Sequence, residues 1–174
     1  MTVNRRVATG THQWCHLPVK YISHPCRHVR TFPPTQEGIA SASAFLDEFA
    51  ESNMAKAESR DIQPTVVPML HVILDEIASN IVKHSGASGF EVSIEALGGS
   101  DGVKMTFTDD GVAYDPLSHV DPDTTLPADR RPIGGLGIMM VKRMATSVSY
   151  RRDINHNQLT VVRARGGQAV DGKG

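Results

Sequence analysis

Apolar residues recur along this chain in two different periods, and each change of period marks a change of element. Ile39, Ala42, Phe45, Leu46 and Phe49 repeat every three to four positions, the face of an amphipathic helix. Thr35 stands where it can cap that helix, which is predicted to run to about Ser52. Before it, HVRTF reads as a strand stopped by Pro33 and Pro34. A linker containing Asp61 and Pro64 leads to a second helical stripe, Val66, Leu70, Ile73, Ile77 and Ile81, which ends around His84 to Gly86. The period then drops to two. Phe90, Val92, Ile94 and Ala96 alternate, as do Val103, Met105 and Phe107, with Gly98, Gly99, Asp101 and Gly102 between them, and this pattern predicts a β-hairpin. A long proline-punctuated loop of lid-like length runs from about Asp115 to Pro132. A further helix starts near Gly137, with Ile138, Val141 and Met144 facing the core, and SVSYRRD and QLTVVR close the pattern as a hairpin around the polar turn DINHN.

Hairpin-connected strands pair antiparallel, and amphipathic helices must cover an apolar face. The predicted fold is therefore α+β, a two-layer sandwich whose mostly antiparallel mixed β-sheet is covered on one face by helices. With 174 residues, 40% of them hydrophobic, one domain with a real core is expected. It is placed at 28–165, between an irregular N-terminal arm (1–27) and a flexible C-terminal tail (166–174).

A formal net charge of -1 supplies no broad basic field, so no direct nucleic-acid binding and no membrane binding are expected. No apolar run approaches the ~20 residues that span a bilayer, and MTVNRRVATGTHQW lacks the apolar stretch of a secretory signal, which points to the cytoplasm. Cys15 and Cys26 are too few for a disulfide scaffold. His12, Cys15, His24, Cys26 and His28 invite a zinc site, but their spacing matches no standard finger.

The candidate chemistry lies in three separated segments. In HVILDEIASNIVKHS, the residues Glu76, Asn80, Lys83 and His84 form a polar line beside the apolar stripe. FTDDGVAYDP puts Asp109 at a strand end with Gly111 two residues on, and RPIGGLGIMMVKRM opens a helix through Gly134, Gly135 and Gly137. Each has a plain structural reading: an exposed helix face, a common turn, a loop glycine. Together they match the needs of ATP. A strand-end carboxylate can accept from the adenine amine, and glycine beside it leaves room for the ring. Mg²⁺ takes hard oxygen ligands and keeps several waters, so the Asn80 carbonyl suffices as a protein ligand. Lys83 and the glycine turn offer positive charge and N–H groups to the phosphates. Glu76 is not needed for binding, and a catalytic base would account for it.

In this order, over roughly residues 28 to 163, the segments resemble the GHKL ATPase superfamily, and within it the anti-sigma-factor serine/threonine kinases of the RsbW and SpoIIAB type. The resemblance implies the Bergerat fold, ATP and Mg²⁺ as cofactors, Glu76 as catalytic base, Asn80 as magnesium ligand and Asp109 as adenine contact. It also implies that Gly111 and the turn Gly134-Gly135-Leu136-Gly137 shape the pocket, with Arg130 or Arg131 of the lid reaching the phosphates. The common Asp-x-Gly-x-Gly pattern departs here to Asp109-Asp110-Gly111-Val112-Ala113, so alanine occupies the last position. The implied function is phosphorylation of a STAS-domain anti-anti-sigma protein by an anti-sigma factor that also binds a sigma factor, in a family whose members often form homodimers. Two alternatives stand beside it: a noncatalytic, nucleotide-dependent sigma-factor-binding module, and a histidine-kinase-type ATPase domain acting on a separate phosphoacceptor. Against the last, His71 is followed by Val72 rather than an acid, and Glu76 holds the base-like position.

Overall fold

The computed structural model describes residues 27–53, 63–97, 102–118 and 135–164. The elements follow in the order β1 (Arg27–Phe32), α1 (Gln36–Asn53), α2 (Gln63–Asn80), a π-helical turn (Ile81–Ser85), β2 (Phe90–Leu97), β3 (Gly102–Asp109), α3 (Leu136–Met144), β4 (Ser147–Asp153) and β5 (His156–Arg163). Thr35 caps α1 as its position predicts: the Gly38 N–H donates to Thr35 Oγ1 at 3.2 Å.

The five strands form one sheet in the order β1-β2-β3-β5-β4. Among the described residues every neighbouring pair is antiparallel, in keeping with the mostly antiparallel sheet that the sequence predicts. Its strands alternate as their period-two pattern requires. Val92, Ile94, Met105, Phe107 and Val161 turn inward, where Phe45, Leu46 and Phe49 of α1 and Ile73, Leu74 and Ile77 of α2 cover them. The opposite face is polar: Arg27 Nε donates to Ser93 Oγ at 2.7 Å, Thr106 and Thr160 pair their hydroxyls at 3.3 Å, and Lys104 pairs with Glu95. One apolar face and one polar face make two layers rather than three.

Three local departures from the predicted pattern bear on the site. Helix α2 takes in Pro64, where a missing N–H in the first turn costs nothing. After Asn80 its last turn widens to a π-helix, ending at Gly86 in the left-handed region (φ 63°). The closing turn is shorter than DINHN. Asp153 pairs with His156 across a tip of Ile154 and Asn155, so Asn157 belongs to a strand. Among the described residues, no helix is long and apolar enough to cross a membrane.

Candidate functional site

The C-terminal end of β3, the N-terminal end of β5, the last turns of α2 and the start of α3 converge on one cleft. It encloses about 120 Å³, many times the ~10–15 Å³ that one water requires. Ile77, Ile81, Phe107, Ile138 and Leu159 contribute apolar wall, and Asn80, His84, Asp109 and Asn157 supply polar groups. Such a site, apolar with a few convergent polar atoms, suits a planar ring.

Asp109 is the last residue of β3 and only 7% exposed. Its Oδ1 accepts from the Gly111 N–H at 2.9 Å and from Asn157 Nδ2 at 3.0 Å. The same Nδ2 donates to the Val112 carbonyl at 2.8 Å, while Asn157 Oδ1 accepts from Tyr150 Oη at 2.8 Å and Arg152 Nη1 at 2.7 Å. Both amide hydrogens and the amide oxygen of Asn157 are thus engaged by protein, which determines its orientation. Among the described residues Asp109 Oδ2 accepts no hydrogen bond, and Asp109 is one of the residues that line the cleft. The result is a buried acceptor, rigidly held, with one oxygen left for a donor on a ligand.

The turn after Asp109 is clamped to the end of α2. The Val112 N–H donates to the Ser85 carbonyl at 2.9 Å. The Ser88 N–H and hydroxyl donate to the two oxygens of Asp110, at 2.8 and 2.6 Å. The Ser88 hydroxyl, and after it the Ser88 N–H, hold the Asp110 carboxyl below its ordinary pKa. A Cβ on Gly111 would stand 2.6 Å from Ser85 Cβ and 2.8 Å from Asp109 Oδ1, besides meeting the Ser85 carbonyl. Gly111 has no positive φ, so space rather than backbone conformation demands glycine. Gly111→Ala is expected to destabilise the fold by about 1–3 kcal/mol through overpacking against atoms that cannot yield, measured as a lowered urea midpoint at unchanged slope. Ala113 also lacks a positive φ, so alanine at the last position of the motif carries no left-handed strain.

Asn80 lines the cleft, and among the described residues its side chain makes no capping bond. Glu76 lies one turn back, part-buried, with its carboxyl against Gly137 in the first turn of α3. Ahead of that helix, Gly135 adopts φ 81°, a left-handed cap that only glycine adopts without strain. Leu136 is exposed at the start of α3. Of the predicted polar line, His84 lines the cleft and Lys83 is exposed outside its wall. The π turn is the cause: widening the helix after Asn80 brings the residue four positions on into line with it and swings the residue three positions on aside.

Arg130, Arg131, Gly134 and most of the predicted lid lie outside the described residues, as do His12, Cys15, His24 and Cys26. His28, the remaining member of the zinc reading, sits in β1 edge-on to the Phe49 ring at 5.3 Å. Burial, then the nearby Arg30 charge, lowers its pKa. No cluster of metal-ligating side chains occurs among the described residues.

Sequence reasoning missed Asn157, Tyr150 and Arg152. The alternation Asn157, Leu159, Val161 carries the signal, because it places a polar residue on the inward face of a strand, where a partner is required.

The family model described as "Histidine kinase-like ATPase domain" matches residues 32–165. A serine/threonine-protein kinase, BtrW of Bordetella bronchiseptica, is 29% identical over 94 residues, which cover 53% of this chain and 66% of that protein. Among solved structures, the RsbU and RsbW domains of Rv1364c from Mycobacterium tuberculosis share the fold with TM-score 0.53 at 16% identity, covering 83% of this chain and 34% of that one.

Proposed function

This chain belongs to the histidine kinase-like ATPase domain family, and on that premise we propose that it is an ATP-dependent serine/threonine protein kinase that acts as an anti-sigma factor. The observation that carries the reading is Asp109: a buried carboxylate with one oxygen engaged by Gly111 and Asn157 and the other left to an apolar cleft. An exocyclic amine on a purine is the donor this arrangement suits, and the apolar wall takes the ring. Asn80 would hold Mg²⁺ through its amide oxygen, a hard ligand in reach of the same cleft. Bound Mg-ATP supplies an electrophilic γ-phosphorus with its negative charge partly neutralised.

The remaining steps fall to the protein. Glu76 accepts the proton of a serine or threonine hydroxyl as that oxygen bonds to the γ-phosphorus; the β–γ bridging bond breaks, and ADP leaves with the electron pair. Gly135, Leu136 and Gly137 at the start of α3, with Gly134, Lys83 and Arg131, form the phosphate-facing side of the reading. The name of the Bordetella relative supports a serine/threonine acceptor. We assign the acceptor to a STAS-domain anti-anti-sigma protein and the second partner to a sigma factor, with the chain acting in the cytoplasm. Phosphorylation would place about -1.5 to -2 charges in the interface and release the regulator.

The test is incubation of the purified protein with γ-labelled Mg-ATP and candidate STAS-domain partners. Acid-stable label on serine or threonine of the partner is the expected result. Acid-labile label on histidine, or stable complexes with no transfer, would overturn the kinase assignment.

A further inference from the structure

Gly137 is a glycine with no backbone reason to be one. It occupies the first turn of α3 without a positive φ, unlike Gly135 just before it. At such a position alanine is the better helix former, so glycine costs stability unless something needs the space. The space is taken: a Cβ built on Gly137 would collide with the Glu76 carboxyl, meeting Oε2 first, with Cδ at 2.8 Å and Cγ at 3.5 Å. Among the described residues outside its own helix and chain neighbours, none comes as close to that position. Glu76 approaches from α2, an element that α3 meets only through tertiary packing.

We infer that Gly137 is a positioning residue, a seat for the Glu76 carboxyl that references the acid on α2 to the first turn of α3. A side chain with three rotatable bonds would otherwise sample many positions over the cleft. Resting it against bare backbone removes part of that freedom and sets its distance from the glycine turn. In its catalytic consequence this inference rests on the reading of Glu76 as the base; as a statement about the nucleotide-free fold it does not. A methyl group at 137 leaves the helix intact and displaces the carboxyl, because the far end of Glu76 is what gives way.

Thermal melting of the nucleotide-free protein tests the seat directly, through the cycle of wild type, Gly137→Ala, Glu76→Ala and the double variant. With Glu76 truncated, Gly137→Ala is expected to raise Tm by about 2–4 °C, the gain from helix propensity alone. With Glu76 present that gain should vanish or reverse. Equal shifts in the two backgrounds would overturn the seat. Kinetics then test its purpose. Gly137→Ala should lower phosphoryl transfer by about a hundredfold, the cost that misplacing a catalytic group by an ångström can carry, with ATP affinity by calorimetry falling far less than the rate. A loss of affinity as large as the loss of rate would mean that the glycine serves the phosphates instead, and would overturn the positioning role. If Glu76→Gln transfers phosphate at the wild-type rate, the base assignment fails, and the melting cycle still decides whether Gly137 seats the side chain.

Discussion

Glu76→Gln is expected to slow phosphoryl transfer by about 10²- to 10⁴-fold while leaving ATP affinity as it is. The amide has the shape of the carboxylate, so it can rest against Gly137 as Glu76 does. Glu76 is not part of the cleft wall, whereas Asn80, one turn further along α2, is. In the proposed mechanism, what the substitution removes is the ability to take a proton from the acceptor hydroxyl. Single-turnover transfer to the STAS-domain partner gives the rate, and titration with ATP gives the affinity. A variant that phosphorylates at full rate would remove Glu76 from the mechanism; one that no longer binds ATP would make it a ligand-binding residue.

The second large effect concerns recognition. In Asp109→Asn, the carbonyl oxygen of the new amide is expected to take the place of Oδ1, accepting from Gly111 and Asn157 and preserving the network. Its NH₂ would then stand where Oδ2 is proposed to meet the purine amine. A donor facing the purine amine replaces an acceptor, a loss of about 3 kcal/mol, or roughly a hundredfold in Kd. The nucleotide-free melting temperature should stay close to that of wild type, because every internal hydrogen bond of the site survives. Wild type at 100 times its Kd gains about 2.7 kcal/mol from ATP, and the variant, at about its own Kd, should gain only about 0.4 kcal/mol at the same concentration. Undiminished stabilisation of the variant by ATP would show that Asp109 does not read the base.

The sandwich was legible because its two periods are unbroken. Ile39 to Phe49 and Val66 to Ile81 can bury a face only as helices, and Phe90 to Ala96 only as a strand. Asn80 and Asp109 were legible for a related reason: each ends a regular element, where a polar residue following an apolar stripe stands out. Gly111 was found by its place in the motif, though the reason for it, the Ser85 carbonyl and Cβ, lies on another element.

Where local pattern was a poor guide, contacts between elements had the final word. The polar line 76, 80, 83, 84 assumed a uniform α-helix, and the π turn at Ile81–Ser85 instead put His84 in the cleft and Lys83 outside it. Asn157 was hidden by a turn that proved three residues shorter than its composition suggested, and its role exists only because β3 and β5 are neighbours in the sheet. Sequence by itself determined the elements, their order and the kinds of chemistry available, since hydrophobic period and residue type are local properties. Tertiary structure alone decided that Asn157 engages one oxygen of Asp109 and leaves the other to the cleft, and that Glu76 rests on Gly137. Hydrogen bonds and close contacts between distant segments depend on packing, and no local period encodes them.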